Sequence, residues 1–177
     1  MNVHYVPSPI QVVDSSSIII QLTDEPVERE AQTLTLTENN ISNQPFIIYP
    51  NKKSTFYMRS PILQDSISLI SIMPHMHLLG KSFKSYAITP DGNILPLVHV
   101  PSWDFNWQTT YQFTKFTVLP KGTVIYAEAT YDNTNENPLN PYKPARTVGY
   151  GWGSKDEMMN LILYYVKYRQ GDELIDL

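Results

Sequence analysis

The chain has 177 residues, with 13 Lys+Arg against 17 Asp+Glu for a formal net charge of −4, and 42% of it is apolar. That is enough to bury the core of one domain, and weak acidity without a Lys/Arg cluster argues against nucleic acid or an anionic membrane as the main partner. The absence of cysteine removes disulfides, thiolate nucleophiles, iron–sulfur clusters and Cys-type zinc sites together, and no apolar run approaches the ~20 residues of a membrane helix.

The N-terminus, Met1-Asn2-Val3-His4-Tyr5, has neither the basic nor the apolar region of a signal peptide. Fourteen prolines, seven glycines and no 3.6-residue apolar period argue against a helical domain. β-Branched and aromatic runs predict strands instead, first at 17–22, then at 32–37, where Leu and Thr alternate, and at 45–49, 67–72, 85–88 and 111–113. The run 123–131 puts Ile125, Ala127, Ala129 and Tyr131 on one face, and a last strand is predicted at 161–168. Pro90-Asp91-Gly92-Asn93 and Pro120-Lys121-Gly122-Thr123 carry turn chemistry. About nine strands at this spacing predict an antiparallel sandwich or barrel in a single domain. The Asn- and Pro-rich stretch 132–144 reads as a solvated surface loop, and the acidic tail 172–176 as a fraying terminus.

The sharpest local feature is Met73-Pro74-His75-Met76-His77-Leu78-Leu79-Gly80-Lys81. Residues two apart on a strand share a face, so His75 and His77 can turn both imidazoles toward one metal ion while Met76 points away. Two imidazoles do not select a metal, and a third ligand has to come from elsewhere. The candidates are His4, His99 and the cluster Asp156-Glu157-Met158-Met159. A carboxylate would make an iron or zinc site, whereas a thioether would favour copper; methionines also fill core gaps, so the pattern leaves the choice open. Other chemistry is poorly supported. No Gly-x-Ser-x-Gly elbow frames a serine, and Gly149-Tyr150-Gly151-Trp152-Gly153 opens no helix for a phosphate, so its glycines read as backbone flexibility. Asp132 and Glu136, with Asn133, Asn135 and Asn137, do not have the spacing of a calcium loop, and His99 reads as a strand residue.

Four ordered blocks carry a family resemblance. His75-Met76-His77-Leu78-Leu79-Gly80-Lys81, Asp104-Phe105-Asn106-Trp107-Gln108, Ala129-Thr130-Tyr131-Asp132-Asn133-Thr134 and Asp156-Glu157-Met158-Met159-Asn160-Leu161 with Tyr164-Tyr165 together resemble the copper type II, ascorbate-dependent monooxygenases. That is the family of peptidylglycine α-hydroxylating and dopamine β-monooxygenase, and the blocks resemble its C-terminal catalytic domain. The resemblance implies an antiparallel jelly-roll β-sandwich. It implies His75, His77 and Met158 as ligands of the catalytic copper, where dioxygen is bound and a substrate C–H bond is cleaved. Val3-His4-Tyr5 resembles the strand that supplies one histidine to the family's second copper, whose His-His pair this chain lacks.

On this resemblance, residues 1–177 are expected to be one C-terminal domain of a longer two-domain protein, with 1–8 as a linker strand from the preceding domain. The expected partners are that N-terminal domain, O2, a reductant and a small-molecule substrate, with no nucleic acid and no membrane, in an extracytoplasmic (periplasmic or secreted) setting. Peptide-hydroxylating members hold a substrate carboxylate with an arginine and a tyrosine where this chain has Met73 and Ile162; only Asn160 is kept. A carboxylate-bearing peptide is therefore not the expected substrate. Two further readings are a copper-handling module without the reaction, and a structural or carbohydrate-binding sandwich with a vestigial His-x-His, suggested by exposed aromatics such as Trp103, Trp107 and Trp152.

Overall fold

Alternating and β-branched segments become strands wherever the chain gives them a neighbour. The computed structural model describes residues 8–22 and 24–177. Among these, the strands are β1 (Gln32–Leu36), β2 (Ile47–Ile48), β3 (Lys53–Arg59), β4 (Ile67–His75), β5 (Gly80–Ile88), β6 (Ile94–Val100), β7 (Tyr111–Leu119), β8 (Val124–Asp132), β9 (Val148–Gly149) and β10 (Asn160–Lys167). Two four-stranded antiparallel sheets, ordered β1-β10-β4-β7 and β3-β8-β5-β6, form a β-sandwich, with β2-β9 as a short separate pair. The expected all-β sandwich is thus observed.

Leu69, Ile72, Leu119, Leu161 and Leu163 from the first sheet, and Phe56, Met58, Phe83, Ile125 and Ala129 from the second, are buried in the shared core. Each large side chain removed from water there contributes roughly 1.5–3 kcal/mol. The alternation predicted for 123–131 is realised in β8, whose Ile125, Ala127, Ala129 and Tyr131 are all buried. Gly92 and Gly122 have φ of 84° and 90°, the left-handed conformation that the predicted turns require of glycine.

Three strands were not expected: β3, β6 and the two-residue β9 that pairs with β2. β3 reads Lys-Ser-Thr-Phe-Tyr-Met-Arg, with only Phe56 and Met58 turned inward. β6 contains Pro96, which a sheet tolerates because β6 is an edge strand and Pro96 sits beside the register shift opposite Tyr86. The strand predicted at 17–22 is absent: Ile18, Ile19, Ile20 and Leu22 are 61–95% exposed. Its β propensity finds no partner strand, and propensity alone does not hold a strand in water.

The acidic tail is not a fraying end. Asp172 is buried and accepts from Arg29 Nη1 at 2.7 Å, Ser68 Oγ at 2.6 Å and the Arg169 amide at 3.0 Å. Beyond it, Ile175 and Leu177 pair with the free edge of β7 through Phe116 N–H and Thr114 C=O. The loop after β8 is likewise less solvated than expected. Asn133, Asn137 and Asn140 are buried, and their amides bond to backbone carbonyls of Ile48, Asp132 and Thr134.

Candidate metal centre

β4 runs past the end of β7: its last residue paired with β7 is Ile72, opposite Tyr111, while its pairing with β10 continues to His75 opposite Asn160. Pro74 is tolerated in this overhang, where its missing N–H breaks no bond to β7. The chain then leaves the strand, turns through Leu78-Leu79 and enters β5 of the other sheet at Gly80. His75 is the last residue of β4 and His77 lies just beyond it, so the pair occupies the crossover between sheets rather than a continuous strand. The two rings nevertheless converge, with centroids 5.1 Å apart and planes at 83°. Met76 is fully buried in the hydrophobic core.

Three buried groups hold this crossover. The Glu157 carboxylate, wholly buried, accepts the His77 amide at 2.9 Å and the Leu79 amide at 2.6 Å. Burial pushes Glu157 up to about 8, opposed by those amides and that of Met158. Tyr131 donates to the Met158 carbonyl at 2.7 Å, and burial raises its own phenol well above the ordinary value. Trp103 donates its indole N–H to the His77 carbonyl at 3.2 Å and its amide to Lys81 at 2.8 Å. Trp103 is only 7% exposed, so it belongs to the interior and not to an aromatic binding surface. Trp107 and Trp152 are exposed as expected.

Each histidine has one committed nitrogen. His75 Nδ1 is 2.5 Å from Gln108 Oε1, and His77 Nδ1 is 3.0 Å from the Asp156 carbonyl. Burial lowers the pKa of both rings, against the pull of those partners, so both are neutral at pH 7. With Nδ1 donating, Nε2 carries the lone pair on each ring, which is the form a metal binds. The Phe105 ring stands edge-on to His77 at 6.0 Å.

Met158 is 4% exposed and follows directly on Asp156 and Glu157, both of which touch His77. Its Sδ lies 3.8 Å from Asn160 Nδ2, and Asn160 is the cross-strand partner of His75, so both share a face. The Asn160 Oδ1 is buried without a hydrogen-bond partner. Met73 and Ile162 are also direct cross-strand partners, both half-buried.

Among the described residues no group of three His, Cys, Asp or Glu could hold a metal. The neighbouring acids are engaged otherwise: Glu157 with backbone amides, and the Asp156 carboxylate packed so closely on Gly151 that a Cβ there would collide with it. Gly151, and more loosely Gly153, therefore serve close packing against Asp156 rather than flexibility. His99 is exposed on edge strand β6, opposite Lys84, and His4 lies outside the described residues. Of the three ligand positions that the resemblance implies, His75 and His77 face each other, and Met158 is buried two residues before Asn160, the cross-strand partner of His75. Sequence reasoning gave no role to Gln108, Tyr131 or the Glu157 clamp, because each acts across 27–80 residues and no local spacing announces it.

A family model described as copper type II ascorbate-dependent monooxygenase, C-terminal domain, matches residues 46–174. The match runs from just before β2 to the end of the Asp172–Leu174 turn and covers nearly three quarters of the chain. A search of curated proteins finds no match.

Proposed function

This chain belongs to the C-terminal domain family of the copper type II ascorbate-dependent monooxygenases, and from that premise we propose that it binds one copper ion through His75, His77 and Met158 and serves hydroxylation of a C–H bond with O2 and an external reductant. The observation that carries the proposal is the paired geometry of the two rings, each with Nδ1 committed and Nε2 presenting a lone pair. The donor chemistry fits copper. Two neutral imidazoles and a thioether form an uncharged set in which soft sulfur favours Cu(I), and the adjacent carboxylates that would favour iron or zinc are otherwise engaged. Bound copper supplies the one-electron redox chemistry that activates dioxygen.

The protein's own part is positioning. Glu157 holds the His77 and Leu79 amides, Tyr131 holds the Met158 carbonyl, and pairing with Asn160 of β10 holds His75. Gln108 and Asp156 fix ring orientation, and Phe105 shields one side of His77. The face next to His75 offers the apolar pair Met73–Ile162 and the Asn160 amide, a surface that suits a neutral substrate, since a carboxylate there would be desolvated without a cation. A preceding domain would supply the remaining ligands of a second, electron-transferring copper, with His4 contributing one.

Anaerobic titration of the chain with Cu(I) tests this, beside His77→Ala and Met158→Ala. One equivalent is expected, abolished by the histidine change and weakened by the methionine change more for Cu(I) than for Cu(II). Absence of stoichiometric binding, or binding indifferent to both changes, refutes it.

A further inference from the structure

The two histidines are oriented by different kinds of partner. His77 leans on a main-chain carbonyl, that of Asp156, whereas His75 leans on a side chain, Gln108, 33 residues away in the segment between β6 and β7. An amide can present either its oxygen or its nitrogen, so what orients Gln108 decides what His75 sees. Its Nε2 donates to the Phe105 carbonyl at 2.8 Å. A carbonyl only accepts, so the amide nitrogen must face Phe105 and the oxygen must face His75. That oxygen also only accepts, so the proton of neutral His75 must sit on Nδ1, and Nε2 is left as the metal-facing nitrogen.

We infer that Gln108 is a positioning residue: through the relay Phe105 carbonyl, Gln108 amide, His75 imidazole it selects the tautomer and ring orientation in which His75 presents Nε2 to a metal. This rests on the proposed function for the identity of the metal, but not for the tautomer. The segment that carries the relay is itself anchored. Trp103 ties it to Lys81 and to the His77 carbonyl, and Phe105 sets its ring against His77. One ten-residue connection, without a ladder of its own, thereby touches both histidines. Gln108 is only half-buried and lies outside the sandwich core, so its replacement removes an orientation rather than a packing contact.

The test uses metal-free protein labelled with 15N at histidine, in which two-bond 15N–1H correlations report each ring's tautomer. Wild type is expected to hold His75 as the Nδ1–H form. Gln108→Leu removes the acceptor and is expected to release His75 into a mixture with Nε2–H, leaving the His77 signals in place. Gln108→Glu keeps an acceptor facing Nδ1 while giving up the bond to Phe105, and is expected to retain the wild-type tautomer. Copper(I) affinity is then expected to fall about 10–100-fold in Gln108→Leu, the usual effect of losing such an outer partner, and to be retained in Gln108→Glu. An unchanged Nδ1–H tautomer in Gln108→Leu, or equal loss in Leu and Glu variants, overturns the inference. A tautomer shift in a protein that binds no copper upholds it and refutes the copper reading alone.

Discussion

The Glu157 clamp gives the most discriminating prediction, because one substitution changes both its hydrogen bonding and its charge. In metal-free protein, Glu157→Gln keeps the shape but leaves one oxygen where two served the amides of His77 and Leu79. One of those buried N–H groups then faces an NH2, a loss of about 1–3 kcal/mol. Against this, the wild type must hold a carboxyl whose burial raises it from 4.5 to about 8. Between those values the folded state keeps a proton that the unfolded state has released. Its contribution to stability is therefore fully present below about 4.5 and is lost as pH rises through about 8, with a slope of up to ~1.4 kcal/mol per pH unit. Glutamine has no such proton. The penalty of Glu157→Gln is expected to be largest near pH 5 and to shrink steadily toward pH 8, where it vanishes or reverses. Urea unfolding of both proteins across this range, followed by tryptophan fluorescence, measures it, and all other titrating groups cancel in the difference. Parallel profiles, or a penalty that grows with pH, refute the reasoning.

Arg29→Ala should destabilise by about 2 kcal/mol, less than a wholly buried pair because Ser68 and the Arg169 amide still serve Asp172. Burial would raise Asp172, but its bonds to Arg29, Ser68 and Arg169 outweigh that and hold it at about 2; its stabilisation is present above about 3.8 and lost as pH falls toward 2, and acid unfolding of the variant should begin at higher pH. Gly80→Ala places a Cβ 2.8 Å from Trp103 Cδ1 and 2.9 Å from Met76 Cε, which should cost about 1–3 kcal/mol by overpacking and shift tryptophan emission as the Trp103 bond to His77 loosens. Tyr131→Phe strands the buried Met158 carbonyl and should lower stability by about 1–2 kcal/mol with little change in near-ultraviolet circular dichroism.

What could be read from the sequence follows the range of the interaction concerned. β8 was legible from alternation over consecutive residues and β10 from its run of aliphatic and aromatic residues, and both strands are flanked on either side. Residues 17–22 have the same local signal and form no strand, since pairing depends on a neighbour that the run itself cannot specify. β3 and β6 show the converse: edge strands bury few side chains and tolerate Lys, Thr and even Pro, so their patterns are faint although their pairing is real. The same division runs through the site. His75 and His77 are two residues apart and stood out at once, yet strand periodicity was not what made them converge, because β4 ends at His75. Convergence comes from the sheet-to-sheet crossover and from Glu157, which grips both sides of His77–Leu79 from 80 and 78 residues away. A carboxylate next to a methionine on a candidate ligand loop looked like a possible ligand itself. Its two oxygens are instead held by backbone amides, which is why the copper set proposed above takes the thioether beside it and not the acid.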